Sequence, residues 1–443
     1  MHNHIMYRIL LALAFATLFV PTALRSEDIF ALPASEAGLP GEGELRRYDG
    51  YVKTWARLRR QWSQQAEQDQ NAVVFLGDSI TQGWGTDFRG HFAGMKLANR
   101  GIGGDTTRGM LIRLQDDVLS LNPKAVVLLM GTNDMEVGLE PDLIGRNFSK
   151  IIQGIQSHSR DIPIIVCQVF PSSADKKRPS EKIKRVNELY STVVKGDSQI
   201  IVLDTWSLFA NTEGDATPRW FPDLLHLNAE GYAKWASALR PVFATLGYLE
   251  TEPDDFELEP GYVSLFNGKD LTGWGFRPTP PRKSGKKPNP NAPVFVEITE
   301  AESFEGKNRS SDNRYVAING RLVVTTPAEG RRIQQLWTTA EFGGDFTLKL
   351  EFRATPNADS GVFIRQPQLQ CRDYVVAGPY TDLKNYRPQD WNELVVTVRG
   401  EVAHATCNGE LLTDNMPVPA SGPIGLEGDR GQMEYRRIRI KRR

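Results

Sequence analysis

From residue 71 to residue 247 short apolar runs alternate with amphipathic segments, and this alternation constrains the fold more than any other feature of the chain. The apolar runs cover 73–76, 96–99, 125–130, 162–169 and 200–203, the second being the weakest. Between them lie helical patterns such as "TTRGMLIRLQDDVLSL" and "SEKIKRVNELYSTVVKG". In the latter, Ile183, Val186, Leu189, Tyr190 and Val193 recur at three- and four-residue spacing, which predicts one buried helix face. Alternating strand and helix units imply a parallel sheet covered by helices on both sides, an α/β architecture.

After Gly247 the pattern changes. Residues 249–260 are acidic, carry no helical or strand period, and read as a linker. From Gly261 to the end, "YVSLF", "RLVVTT", "DFTLKLEFRA", "GVFIRQ", "NELVVTVRG", "EVAHATC" and "EYRRIRIK" alternate at strand period, separated by Gly, Asn, Asp and Pro. That is the signature of an all-β sandwich. At 443 residues the chain has room for two cores. The predicted domains are residues 45–248 (α/β) and 261–443 (all-β). The Pro-rich basic stretch 278–293 cannot pack a core and reads as an exposed loop.

Residues 1–26 form a signal-peptide pattern: Arg8, an apolar run over 9–20, then Pro21 and small or polar residues, with cleavage expected near Ala23 or Ser26. No other segment approaches the length of a transmembrane helix. The expectation is an exported protein, periplasmic or extracellular, without integral membrane association. The balance of 53 Lys and Arg against 54 Asp and Glu offers no general attraction to phosphate backbones, so nucleic acid is not an expected partner. Cys167 falls in the apolar run "IPIIVCQVF" and reads as a buried thiol. Cys371 and Cys407 are candidates for one disulfide in an oxidising compartment, a pairing that sequence leaves open.

If the first domain is a doubly wound sheet, its ligands belong at the carboxyl ends of the strands. Polar residues accumulate there: Ser79 after the first strand, Gly103, Gly104 and Asp105 after the second, Asn133 after the third, and Asp223 and His226 after the fifth. A serine hydroxyl needs a base, and histidine suits that task near neutrality. His2 and His4 fall in the leader, His158 at a helix end and His404 in the β domain, which leaves His91 and His226. His226 has Asp223 three residues before it to orient its ring; His91 has no such partner and reads as a surface or packing residue. Attack on a carbonyl creates an oxyanion, which Ser79 N–H, Gly104 N–H and the Asn133 amide can receive. Alone, "GDS" reads as a helix cap, Gly103-Gly104 as a turn and Asn133-Asp134 as an Asx-turn. In order at separate strand ends they read as a serine hydrolase; the family resemblance given next implies that it needs no metal, and no other cofactor is expected.

"VVFLGDSITQGW", "NRGIGGDTTRGMLIRL", "VVLLMGTND" and "DLLHLNAEGYAKWASAL" resemble, in sequence order, the four blocks of the GDSL or SGNH hydrolase superfamily, and look closest to its platelet-activating-factor acetylhydrolase-like branch. The resemblance covers roughly residues 71 to 247. It implies a flavodoxin-like three-layer fold and ester hydrolysis, with Ser79 as nucleophile, His226 as base, Asp223 orienting it, and Ser79, Gly104 and Asn133 forming the oxyanion hole. The second half resembles the concanavalin-like jelly-roll domains described as 3-keto-disaccharide hydrolase-like, in "YVSLFNGKDLTGWGF", "ADSGVFIRQ", "DWNELVVTVRG", "CNGELL" and "SGPIGLEGDRGQMEYRRIRIK". Such domains accompany carbohydrate-active enzymes, which favours a glycan ester as substrate.

In the β domain Asp359, Arg365, Asp373 and Trp391 are candidate glycan ligands. The competing reading puts Trp274 and Trp391 in the sandwich core and pairs Arg365 internally. Together these features predict an exported serine esterase removing short acyl groups, acetyl first, from carbohydrate. The alternatives are a lipid or lysophospholipid esterase, a glycan-binding protein with an inert hydrolase domain, and a β domain that itself binds or cleaves modified glycosides.

Overall fold

The computed structural model describes residues 28–249, 255–280, 292–373, 380 and 382–443. The leader-like residues 1–26, residues 250–254 of the expected linker and residues 281–291 of the Pro-rich stretch lie outside the described residues.

The first half runs α1 (Asp49–Gln65), β1 (Val73–Gly77), α2 (Ser79–Gly83), β2 (Leu97–Gly101), α3 (Thr107–Asp117), β3 (Ala125–Leu129), α4 (Thr132–Glu136), α5 (Pro141–His158), β4 (Ile164–Cys167), α6 (Ser180–Val194), β5 (Ile200–Leu203), α7 (Thr205–Phe209) and α8 (Ala229–Thr245). All five strands are parallel, in the order β2-β1-β3-β4-β5. That is the flavodoxin-like order. Both faces of the sheet are buried. Val74, Leu76, Val126, Leu128, Ile164 and Val166 pack on one side. Val73, Phe75, Val127, Leu129, Ile165 and Cys167 pack on the other. A strand covered on both sides has no polar face to show, which is why these runs are continuous in sequence rather than alternating.

On α6 the buried residues are Ile183, Val186, Asn187, Tyr190 and Val194. The sequence-derived face is therefore corrected at its end. Val193 is 39 % exposed, and Leu189 is only partly buried. Four residues beyond Tyr190 the helix returns to the core at Val194 rather than Val193.

The second half is all-β: an eight-stranded and a seven-stranded sheet, antiparallel except where Val294–Phe295 joins Arg332–Thr338. Long strands Phe346–Ala354, Asn392–Arg399 and Met433–Arg442 centre the first sheet, and Asp359–Ile364, Ile424–Gly428 and Arg332–Thr338 the second. Between them Trp274, Leu336, Leu348, Leu350, Val362, Val396 and Leu426 are fully buried. Trp274 takes the core role foreseen for it, with Nε1 donating to Leu265 O at 2.7 Å. Cys371 and Cys407 lie on different sheets, and both, like Cys167, are free buried thiols.

The described end of the acidic segment is anchored rather than loose. Glu259 accepts from Arg439 and pairs with Lys349 at 3.3 Å. The Arg439 hydrogen bonds hold its carboxyl down at about 2. The two halves touch through Asn357 Nδ2 donating to Asp204 Oδ2 (2.6 Å), Gln432 Nε2 to Pro241 O (3.0 Å) and Gly196 N to Ala328 O (2.7 Å).

Candidate functional site

Ser79 lies one residue beyond the end of β1 and is the first residue of α2. It does not cap that helix. The cap is Asp78, whose Oδ1 accepts from Ile80 N at 2.9 Å, so the Ser79 hydroxyl is left for other work. Its Oγ lies 3.0 Å from His226 Nε2. On the far side of the ring His226 Nδ1 is 2.7 Å from Asp223 Oδ2.

The three-residue spacing of Asp223 and His226 works through a built turn. Asp223 Oδ1 accepts from Leu225 N (3.1 Å) and His226 N (2.7 Å) while Oδ2 holds the ring. Leu224, between them, sits at φ 63°, a left-handed conformation that a branched residue adopts only when its surroundings hold it there. Ser172 Oγ supplies part of that hold by donating to Leu224 O at 2.8 Å. Partial desolvation pulls the Asp223 carboxyl up, but the bonds from the His226 backbone and ring and from Leu225 outweigh it, leaving the group down at about 2. Asp223 is therefore ionised across the whole useful pH range.

Gly104 and Asn133 converge on the same rim. Gly104 has φ +84°, and a Cβ there would fall 2.6 Å from Tyr48 Oη, so both the backbone and the space require glycine. Gln82 fixes the approach to it, its Oε1 accepting from Gly103 N at 2.6 Å. Asn133 is held at its amide nitrogen, its amide oxygen and its carbonyl. Its Nδ2 donates to Asp105 O (3.0 Å), its Oδ1 accepts from Arg178 (3.2 Å), and its carbonyl accepts from Arg46 (3.2 Å). Since an amide nitrogen carries two hydrogens, one Nδ2–H remains to point into the cavity. Arg178 is itself buried and donates to Thr132 O at 2.9 Å, while Glu136 bridges Arg178 and Arg46.

Beneath these residues Asp105 accepts from Arg113 Nε and Tyr51 Oη, both at 2.8 Å. Asp134 accepts from Thr107 N at 3.0 Å, and its burial pushes its carboxyl up to about 6.

Ser79, Gly104, Asn133, Asp223 and His226 line one cavity of about 560 Å³, shared with the polar Arg57, Gln82 and Lys176 and with Tyr48, Tyr51 and Leu225. Next to it, Ile80, Leu129, Met130, Val169, Phe170 and Leu225 surround an apolar hollow of about 10 Å³, room for roughly one water. His91 stays outside the site, as its sequence context indicated, with Nδ1 accepting from Trp84 Nε1 at 3.0 Å. Among the described residues no three His, Cys, Asp or Glu side chains are grouped to hold a metal ion. Nor is any described helix long and apolar enough to cross a membrane.

The four β-domain candidates are not brought together. Asp359 pairs with Arg372 at 2.6 Å. Arg365 is buried, and its guanidinium donates to the carbonyls of Phe342, Gly344, Gly400 and Pro419. Asp373 is fully buried, accepting from Asn357 N (2.8 Å) and Gln389 Nε2 (3.2 Å), and burial pushes its carboxyl up to about 6. Trp391 is not in the core, and the guanidiniums of Arg353 and Arg436 lie over its ring, at 4.7 and 4.1 Å. Sequence reasoning missed Arg46, Gln82, Ser172 and Arg178 in the first domain. Gln82 lies inside the first block but carries no signal of its own there, the other three lie outside the blocks, and each acts on a partner far along the chain.

Residues 75–234 match the GDSL-like lipase/acylhydrolase family, and residues 261–441 the 3-keto-alpha-glucoside-1,2-lyase-like domain. The human platelet-activating factor acetylhydrolase IB subunit alpha2 is 29 % identical over 204 residues, covering 45 % of this chain and 87 % of that protein. The human alpha1 subunit is 28 % identical over 195 residues, covering 43 % and 84 %. Among solved structures, a GDSL-like lipase from Bacteroides thetaiotaomicron aligns with a TM-score of 0.38 and 21 % identity, over 42 % of this chain and 97 % of that one. The chain is thus an ester-hydrolysing enzyme whose GDSL-like lipase/acylhydrolase domain is joined to a 3-keto-alpha-glucoside-1,2-lyase-like domain.

Proposed function

We propose that this protein is an exported serine esterase that removes short acyl groups, acetyl above all, from carbohydrate, with the β domain holding the glycan. The observation that carries the reading is the unbroken relay from Ser79 Oγ through His226 to Asp223, at 3.0 and 2.7 Å, opening on the cavity that Gly104 and Asn133 also line.

In this reading His226 Nε2 takes the proton as Ser79 Oγ attacks the ester carbonyl. The negative charge that develops on the carbonyl oxygen is met by the N–H groups of Ser79 and Gly104 and by the free Nδ2–H of Asn133. His226 then returns the proton to the departing alkoxide. Water, deprotonated by the same nitrogen, releases the acid from the acyl-Ser79 ester and restores the hydroxyl. The ionised Asp223 stabilises the imidazolium at both stages.

Two features favour a short acyl group on a polar alcohol. The apolar hollow beside Ser79 is too small for a fatty chain, and the larger cavity is lined by hydrogen-bonding groups rather than by the apolar groove a lipid needs. Ser79→Ala should abolish hydrolysis of p-nitrophenyl acetate and of acetylated oligosaccharides; turnover that survives the substitution, or faster cleavage of long-chain esters than of acetyl esters, would overturn the proposal.

A further inference from the structure

The cavity that opens on Ser79 holds more positive charge than its own residues neutralise. Its wall carries four cations, Arg46, Arg57, Lys176 and Arg178, against two acids, Glu136 and Asp223. Both acids are already engaged. Glu136 bridges Arg46 and Arg178; partial desolvation pulls its carboxyl up, but the bonds from the two arginines outweigh it and hold the group below its ordinary value. Asp223 is bound to His226 and to the turn that carries it. Four charges against two leave an excess of two before His226 takes a proton. The chain as a whole has a net charge of -1, so the excess belongs to this cavity and does not reflect a basic protein.

The excess rests on Arg57 and Lys176. Neither side chain has an ion pair or a hydrogen bond among the described residues. The Lys176 carbonyl accepts from Arg178 Nη1 at 2.5 Å, which ties its backbone to the arginine that holds Asn133 and leaves its ammonium unpaired. Arg57 lies on the face of α1 that also presents Gly50, Tyr51 and Thr54 to the cavity, at three- and four-residue spacing. The Tyr51 ring lies against Gly104, its Cδ2 being 3.5 Å from where a Cβ would stand. Six residues on from Tyr51, Arg57 is about 9 Å further along the helix axis, a separation that suits a substituent on the alcohol rather than the reacting carbonyl.

Two unpaired like charges on one concave wall repel each other and focus a positive field into the cleft. They do not belong to the residues that the acyl chemistry calls for. The family match begins at residue 75, so Arg57 lies outside it, and Lys176 lies in none of the four blocks. In the proposed reading the acyl group takes the small apolar hollow beside Ser79, which leaves the charged cavity to the alcohol.

We propose that Arg57 and Lys176 are specificity-determining residues that select esters whose alcohol portion carries a carboxylate. A guanidinium offers paired N–H groups to that ion, and an ammonium offers a compact point charge. Carboxylate is also the anion that a sugar carries on its own carbon skeleton, so the glycan ester proposed above narrows to one built on an acidic sugar.

This inference rests on the proposed Ser79-dependent ester hydrolysis. The test measures kcat/KM of the full-length protein for three acetyl esters: anionic 4-acetoxybenzoate, neutral 4-acetoxybenzamide and cationic 4-acetoxyphenyltrimethylammonium. The quantity of interest is the ratio of the anionic to the neutral probe, compared between variants so that the intrinsic reactivity of each ester cancels. Arg57→Gln and Lys176→Gln should each lower that ratio about threefold, and the double variant about tenfold, while the ratio of the cationic to the neutral probe rises. Arg57→Lys keeps the charge and should retain most of the preference. Raising salt from about 20 mM to about 500 mM should erode it in the wild type. A damaged fold, or a general aid to the oxyanion, lowers all three probes together and leaves the ratio where it was. An unmoved ratio in the double variant, with hydrolysis still dependent on Ser79, would therefore overturn the inference and leave the proposed function standing. Hydrolysis that survives Ser79→Ala would overturn the function instead, and it is read from that variant's turnover, not from the ratio.

Discussion

Asp78 offers the sharpest test of how this site is held. It sits between β1 and α2, fully buried, with Oδ1 capping Ile80 N and Oδ2 without a hydrogen-bond partner among the described residues. Burial pushes its carboxyl from the ordinary 3.8 up to about 7, against smaller downward pulls from the Ile80 N–H and from His226. Because the folded value is raised, the protonated form is the one folding favours. The group's contribution is fully present below pH 3.8 and is lost as pH rises through about 7. A gap of about 3 pKa units corresponds to about 4 kcal/mol when the loss is complete. Of this about 1.5 kcal/mol is already lost at pH 5, so some 2.5 kcal/mol should disappear between pH 5 and pH 8.

Asp78→Asn keeps the oxygen that caps Ile80 and removes the titration, and its new amide hydrogens face the one-water hollow that Asp78 helps to line. Urea unfolding of both proteins at unit steps from pH 5 to pH 8 gives the measurement. Asp134, Asp373 and Glu427 are also pushed up by burial, so the raw pH dependence of either protein mixes several groups. The difference between variant and wild type isolates Asp78. That difference should move in favour of Asn by about 2 to 3 kcal/mol across the range. Two stability curves that run parallel within about 0.5 kcal/mol would refute the reasoning and mean that Asp78 is already ionised in the folded protein near neutrality.

Two further substitutions probe the oxyanion site. Asn133→Ala removes the only side-chain donor proposed there and should lower kcat for p-nitrophenyl acetate by roughly 100- to 1000-fold with little change in KM; a change confined to KM would mean that Asn133 binds substrate and does not stabilise the transition state. Gly104→Ala meets both a positive φ and the Tyr48 hydroxyl. It should cost about 1 kcal/mol or more in thermal unfolding together with most of the turnover, and unchanged kcat would remove Gly104 N–H from the proposed role.

What the sequence disclosed follows from how much each residue type can say by itself. That Ser79, Gly104, Asn133, Asp223 and His226 meet at one rim was legible because a parallel sheet sends every strand's carboxyl end there. The identity of the helix cap was not legible: "GDS" offers two capping side chains in succession, and only the structure shows that Asp78 takes the role and leaves Ser79 free. Arg178 was hidden for a different reason. It lies 45 residues from Asn133 with no periodic or motif context, and its function is to hold another side chain.

The β domain shows where one-dimensional reading ends. Arg365 stands in an apolar strand, and a charge in such a place suggests a ligand contact. What it does is collect four backbone carbonyls from loops that no local pattern connects. Trp391 likewise suggested a sugar platform or a core residue, but two arginines lie over its ring. Trp337 is only partly buried, in "RRIQQLWTT", where the buried Gln334 breaks the alternation that marks a strand. Its partners come from strands centred some 30 and 90 residues further on, and antiparallel register alone puts Gln335 beside Glu427 and Trp337 over Gly425. A cluster of side chains assembled at strand ends can be read from residue types in order. A cluster assembled across strands depends on pairing, and pairing is fixed by the whole sandwich core rather than by any stretch of sequence.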